Sequence, residues 1–371
     1  MMTLSHRDRV YAAIRHQETD RVPVDFGGRI SGIALSAYEE LKELLQFKAK
    51  TEVLDMRLQL AKVDESILDR FKVDTRWIYQ KAPVSWDPKW DHEKDTFVDE
   101  WGITLTKPSQ GFYYDYIKAP LAEVQTAEEL EKHAWPNTED LSRNSGVIEE
   151  AQQLVRAEDP FFVATSFKGP FEQSWALRGL EQFLMDLILD PQLAQALMDK
   201  VLAVQKKMYG PFLEMIAPYV DMVCFTDDMG GQLGPLISPK IYRDIVKPRH
   251  IEMVKFIKAK TGGKVAALHC CGSVVDFMPD ICEIGVEVLN PIQVTAAGMD
   301  IQTLKQRFGD KLTFWGAIDT QQLLPFSQPE PVREAAFNTR KVLGKNGGYL
   351  FAPVHNIQPL TPAANILALF E

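Results

Sequence analysis

Residues 264–272 read Lys264-Val265-Ala266-Ala267-Leu268-His269-Cys270-Cys271-Gly272. Four apolar residues in succession are too few for a helix and too uniform for a strand with one wet face. They fit a strand buried on both sides, as in a parallel sheet. The run ends in an imidazole, two thiols and a glycine, so a buried strand delivers reactive side chains at its carboxyl end. Six further runs share this design: VDTRWIY (73–79), FFVATSF (161–167), VDMVCFTDD (220–228), VEVLNPI (286–292), LTFWGAID (312–319) and GYLFAPVHN (348–356). Helical patterns separate most of them, over about 170–189, from Asp190-Pro191 to about 216, after Ser238-Pro239, and near 274–284, 300–308 and 329–344.

Such alternation means either a doubly wound open sheet or a closed (β/α)8 barrel. The strand ends decide between them. Ser166 and Lys168, Thr226, Asp227 and Asp228, Asn290 and Gln293, Asp319, and His355 and Asn356 all terminate runs. A barrel gathers every strand end at one mouth, whereas an open sheet gathers only those at its switch point. No G-x-G-x-x-G follows an early strand. The expectation is an α/β chain forming a single (β/α)8 TIM barrel over 1–371, with an N-terminal helical and hairpin extension over about 1–70. In that extension Ser5 caps a helix running to about His16, RVPVDF (21–26) reads as a short strand, and helices are expected over about 36–47 and 54–70. Short alternating runs broken by Pro, Asp and Gly over about 86–117 read as a hairpin insertion that can act as a lid.

Composition narrows the function. With 41 Lys and Arg against 51 Asp and Glu, the formal net charge is −10, and no basic cluster breaks that balance. Nucleic acid and anionic membrane surfaces are therefore excluded as partners. No stretch approaches the roughly 20 apolar residues of a membrane span, and the start lacks a secretory core, so the expected location is cytoplasmic. Four cysteines in 371 residues do not make a disulfide scaffold. Cys224 and Cys282 sit among apolar neighbours and read as core.

On a strand, alternate side chains face the same way, so His269 and Cys271 point together and Cys270 points opposite. Imidazole and thiolate are good ligands for Zn²⁺, although a buried histidine beside an inert thiol is the plainer reading. A third ligand must come from another strand end. His355 is the first candidate, with Asp228 and then Asp227 as the available carboxylates. Asp227-Asp228 can otherwise do acid–base work, bind a substrate cation, or order the glycine turn that follows. Asn290, Gln293, Asp319 and Asn356 are candidate substrate contacts, with Asp319 equally placed to cap a helix. Arg76, a charge inside the first barrel strand, needs a partner or an anionic ligand. Trp77, Trp175 and Trp315 either wall a pocket for a flat ligand or pack the core.

These residues also carry a resemblance. Arg9-x3-Ala13-Ile14-x5-Asp20-Arg21-Val22-Pro23, Thr226-Asp227-Asp228-x-Gly230 running into Gly234-Pro235-x2-Ser238-Pro239, His269-x-Cys271-Gly272, and Ala352-Pro353 leading to Pro359-x-Thr361-Pro362-x2-Asn365 resemble the uroporphyrinogen decarboxylase superfamily. The resemblance spans essentially the whole chain and implies a (β/α)8 barrel. The decarboxylases grip their tetrapyrrole with an Arg-rich N-terminal stretch, and here Pro23 to Arg29 holds a single Arg. The cobalamin-dependent methyltransferase branch binds zinc through H-x-C and a distant Cys, and His269 and Cys271 match the first part. The distant position holds His355, in A-P-V-H rather than A-P-G-C.

The resemblance thus implies zinc held by His269, Cys271 and His355. It also implies methyl transfer between a small methylated or methoxylated compound and a corrinoid (cobalamin) cobalt. This chain has no corrinoid-binding D-x-H-x-x-G, so the corrinoid would arrive on a partner carrier protein. Relatives of this kind are often dimers, which implies a homodimer. The alternatives are a metal-free decarboxylase-like lyase using Asp227 or Asp228 with Arg76, and a non-catalytic corrinoid- or tetrapyrrole-binding barrel.

Overall fold

The computed structural model describes residues 3–155 and 158–371. The buried runs become seven strands: β1 (Thr75–Trp77), β2 (Phe162–Lys168), β3 (Met222–Thr226), β4 (Val265–His269), β5 (Val288–Asn290), β6 (Thr313–Ile318) and β7 (Tyr349–Pro353). They lie side by side in chain order, every pair parallel.

The eighth side of the wall comes from the N-terminal segment. Val24 bridges Phe351 in parallel, with Asp25 N–H donating to Phe351 O at 2.8 Å and Phe351 N–H to Pro23 O at 2.9 Å. On the other flank Asp74 N–H donates to Val24 O at 2.8 Å. Pro23 has no N–H to extend the ladder, which keeps this stave short. The RVPVDF run, expected in an extension, is thus part of the barrel. Asp74 locks it there. Its carboxylate accepts from Val24 N–H (2.8 Å), Arg9 (2.7 Å), Arg21 (2.6 Å) and His6 (2.8 Å).

Alternate strand residues fill the barrel interior, among them Phe162, Ala164, Met222, Cys224, Val265, Ala267, Trp315 and Leu350. Asp25 is fully buried beside this layer. It accepts from both indole N–H groups of Trp77 and Trp315 at 2.9 Å, and from Thr75 and Ser31. The two indoles stack at 5.6 Å, so Trp315 serves the core and the half-buried Trp77 packs against it.

Two expectations fail locally. Residues 54–70 are not one helix: Glu52–Asp55 and Leu60–Lys62 pair as an antiparallel hairpin, and only Glu65–Arg70 is helical. Asp55 turns the chain by accepting from Leu58 N–H at 2.9 Å, and Ala61 N–H then bonds Ile33 O at 2.9 Å. Strand pairing along the edge offered by Ile33 therefore won over helical spacing. The helix expected over 170–189 is two, Pro170–Arg178 and Leu180–Leu189, parted at Gly179 with φ +89°. The insertion forms three antiparallel strands, Thr96–Val98, Thr104–Thr106 and Asp115–Lys118. Among the described residues no helix is long and apolar enough to cross a membrane.

Candidate metal centre at the barrel mouth

Pairing places His269, the last residue of β4, level with Thr226 of β3 and Asn290 of β5. Cys270 N–H still donates to Asn290 O at 2.6 Å, so pleat alternation persists one step beyond the strand. Cys270 accordingly turns away from the barrel interior into the layer between strands and helices, where its Sγ accepts from Met229 N–H at 3.2 Å. Cys271 turns with His269 toward the mouth, Sγ lying 3.3 Å from Nε2. A sharp turn at Gly272 (φ +85°) then crosses the β3 loop backbone to backbone. A Cβ on Gly230 would meet Cys271 O at 2.4 Å.

His355 arrives from the end of β7, its ring centroid 6.0 Å from that of His269. The ligand atoms of His269, Cys271 and His355 all lie within 4.8 Å of one another. Ligands of a tetrahedral zinc stand about 3.5 Å apart, given bonds of roughly 2.0–2.3 Å, so the cluster needs only small side-chain rotations to fit.

The imidazole orientations fit as well. Asn290 Oδ1 lies 2.5 Å from His269 Nδ1, and Asn290 Nδ2 donates to Trp315 O at 3.2 Å. That orients the amide so that Nδ1 carries the proton and Nε2 keeps its lone pair for the cluster. Burial, then the neighbouring His269, push the His355 imidazole down against the opposing pull of Asp228, so His355 is neutral at pH 7. Burial first, then the charge of Asp228, raise the Cys271 thiol well above its ordinary value. A cation entering here must displace that proton.

The remaining candidates divide. Asp228 lines the cavity, accepts from Cys271 N–H at 2.7 Å and stands 3.8 Å from His269 Nε2. Asp227 does not reach the mouth. It is buried, accepting from Phe171 and Glu172 N–H at 3.2 and 2.6 Å and meeting His250 Nε2 at 2.8 Å, and so caps the helix Pro170–Arg178. Asn290 is buried, bonded to His269 and Trp315, and stands behind the cavity wall rather than in it.

Gln293 ties loops together, accepting from Gly272 N–H at 2.8 Å. Asp319 caps its own turn, accepting from Gln321 N–H (2.7 Å) and Leu323 N–H (3.1 Å). Arg76 is spent on Glu65 and Asp69 and stacks over Phe161. Asn356 does line the cavity, while clamping the N-terminal loop through Gly32 N–H (2.6 Å) and Arg29 O (3.0 Å).

The cavity over the cluster holds about 330 Å³. Its walls include Trp175, Phe167, and Phe112 and Tyr113 from the insertion. A larger cleft of about 710 Å³ lies outside the barrel between the helices Ile301–Phe308 and Pro329–Leu343, away from every candidate ligand. Sequence reasoning missed Arg57 and Glu172, both in the cavity wall. Glu172 accepts from Thr226 Oγ1 at 2.8 Å and faces Lys168 at 3.7 Å. A charge in the first turn after Gly169-Pro170 was its only sequence signal. Arg57 gave none, because its segment read as helix.

Comparison with known proteins places this architecture. The profile of the uroporphyrinogen decarboxylase (URO-D) family matches residues 106–371. Curated uroporphyrinogen decarboxylases of Coxiella burnetii, strains Dugway 5J108-111 and RSA 331 / Henzerling II, are each 25% identical over 378 residues, covering 98% of this chain and 93% of theirs. A solved methyltransferase from Methanosarcina mazei superposes with a TM-score of 0.66 at 17% identity, covering 99% of this chain and 97% of that one. That likeness shows a shared fold.

Proposed function

The chain belongs to the uroporphyrinogen decarboxylase family, and from that premise we propose that it is a zinc-dependent methyltransferase of a corrinoid system. It moves a methyl group between a small methylated or methoxylated compound and the cobalt of a corrinoid on a separate carrier protein. The observation that carries this reading is the His269, Cys271 and His355 cluster at the mouth. Zinc bound there supplies Lewis acidity toward the heteroatom that gives or takes the methyl group.

The chain's own residues do the rest. Asn290 fixes the His269 tautomer, and Asp228 holds the Cys271 backbone in place. Asp228 is also the carboxylate in the cavity wall nearest His269, placed to hold a proton for a leaving heteroatom. Phe112 and Tyr113 cover the cavity and restrict water.

The N-terminal stretch favours this reading over the decarboxylation that names the family: Arg29 is the single guanidinium between Pro23 and Arg29, where several carboxylate arms would need several.

The test incubates the purified protein with reduced corrinoid protein and a panel of methyl donors, following the corrinoid absorbance. The expected result is one zinc per chain and a spectral change with at least one donor, both lost in Cys271→Ser. A folded, metal-free chain inactive with every donor overturns the proposal.

A further inference from the structure

Apart from Asp228 beside the histidines, the charged side chains around the cavity fall into two pairs and a remainder. Arg29 Nε lies 3.2 Å from Asp55 Oδ2, an ion pair without hydrogen-bond alignment. Lys168 faces Glu172 at 3.7 Å. Arg57 is the remainder. Among the described residues its Nε–H is sealed from solvent with no acceptor. Its acidic neighbours are engaged elsewhere: Asp55 with Arg29 and Leu58 N–H, Glu172 with Thr226 and Lys168, and Asp99 with Trp101 and Ile103 N–H. An enclosed guanidinium donor without an acceptor is costly unless a ligand supplies one.

A second donor stands in the same condition. The indole Nε1–H of Trp175, in the wall of the same cavity, is also buried without an acceptor. The two are neighbours through one ring: Arg57 Cζ lies 4.5 Å from the Tyr116 centroid, and Trp175 meets that ring edge-on at 5.6 Å. Arg57 is held there by the hairpin turn and by Tyr114 N–H, which donates to its carbonyl at 2.9 Å.

We propose that Arg57 and Trp175 form an anion-binding subsite that takes the carboxylate or sulfonate head of a small flat substrate. This rests on the metal-centred reading above, since the other end of such a molecule is the end that reaches His269, Cys271 and His355. The aromatic walls at Phe112, Tyr113 and Trp175 suit a planar body. A single charge-assisted donor pair suits one anionic head and not several. The subsite makes Arg57 a specificity-determining residue that selects anionic over neutral compounds of equal size.

Titration calorimetry with benzoate, benzenesulfonate and neutral benzyl alcohol tests this on the wild type, Arg57→Gln, Trp175→Phe and Cys271→Ser. At least one anion is expected to bind more tightly than benzyl alcohol, and the tighter anion identifies the head group. Arg57→Gln should weaken it about 10- to 100-fold, and Trp175→Phe, which keeps a ring but loses the N–H, about 3- to 10-fold. Benzyl alcohol should bind all forms alike.

Cys271→Ser should bind the anion as the wild type does, because the subsite needs no metal. Failure of methyl transfer with anion binding intact would thus sink the catalytic reading alone. Neither anion binding, or unchanged affinity in both Arg57→Gln and Trp175→Phe, overturns the subsite. Trp175→Phe keeps the test alive should Arg57→Gln fail to fold.

Discussion

Asn290 Oδ1 and His269 Nδ1 lie 2.5 Å apart, and the other arm of the same amide is tied to Trp315 O at 3.2 Å. One amide from the neighbouring strand therefore decides which histidine nitrogen faces the cluster. Asn290→Ala frees the ring to rotate and to take the other tautomer. Zinc affinity should fall about 10- to 100-fold, and the lost buried hydrogen bonds should also lower the unfolding midpoint. Chelator competition measures it, and wild-type affinity would remove Asn290 from its positioning role.

His355 supplies an imidazole where a thiolate is equally acceptable to zinc. His355→Cys should retain one zinc through desalting, whereas His355→Ala should lose it. Atomic emission on the desalted proteins distinguishes them. Zinc retained by both would mean that His355 is no ligand.

Gly230 fits because its missing Cβ leaves room for Cys271 O, which a methyl would approach to 2.4 Å. Gly230→Ala must push the Cys271 backbone away, since the three nearest atoms, Cys271 O, Gly272 C and Ser273 N, are all main chain. The expected result is a barrel with normal far-ultraviolet circular dichroism and markedly weaker zinc binding. Undiminished zinc binding would show that the loops can part without cost to the centre.

Thiol chemistry separates the adjacent cysteines. Cys270 is fully buried and Cys271 half-buried at the mouth, and burial raises both thiols. Iodoacetamide should label Cys271 slowly in the chelated protein, faster as pH rises, and hardly at all with zinc bound. Cys270 should stay unlabelled until unfolding. Mass spectrometry of the digested protein reads each site.

Acid stability should report on Asp74. Burial pushes its carboxyl up, but hydrogen bonds from His6 and Arg21 and the Arg21 charge outweigh that and hold it below the usual 3.8. A depressed carboxyl contributes stability above its unfolded pKa, and that stability is lost as pH falls through the folded value. The loss therefore belongs below about pH 4. Asp74→Asn should cost about 3 kcal/mol at pH 7 and flatten this acid limb, as urea unfolding at several pH values would show.

How much was legible beforehand follows from the range of the forces involved. Continuous apolar runs such as Val265–Leu268 and Phe162–Ala164 betray a buried parallel sheet, because no surface strand tolerates them. Pleat alternation, a purely local rule, placed His269 with Cys271 and Cys270 apart. The chain's charge balance and strand-end polarity were likewise written in residue order. Partnership was not. Whether Asp227 or Asp228 faced the mouth depended on the helix Pro170–Arg178, whose bare N–H groups claimed Asp227.

Arg76 and Asp319 looked available only until Glu65 and the 321–323 turn were brought beside them. The segment around Arg57 read as helix, and the edge offered by Ile33 and Ala34 resolved it into a hairpin. The sequence by itself thus determined the barrel and named the three side chains, His269, Cys271 and His355, that cluster at its mouth, since burial and pleating act over a few residues and strand ends share one mouth. Only the tertiary structure decided which charges were already satisfied and which stood unmatched over the cavity, because hydrogen bonds pair groups that folding brings together from anywhere in the chain.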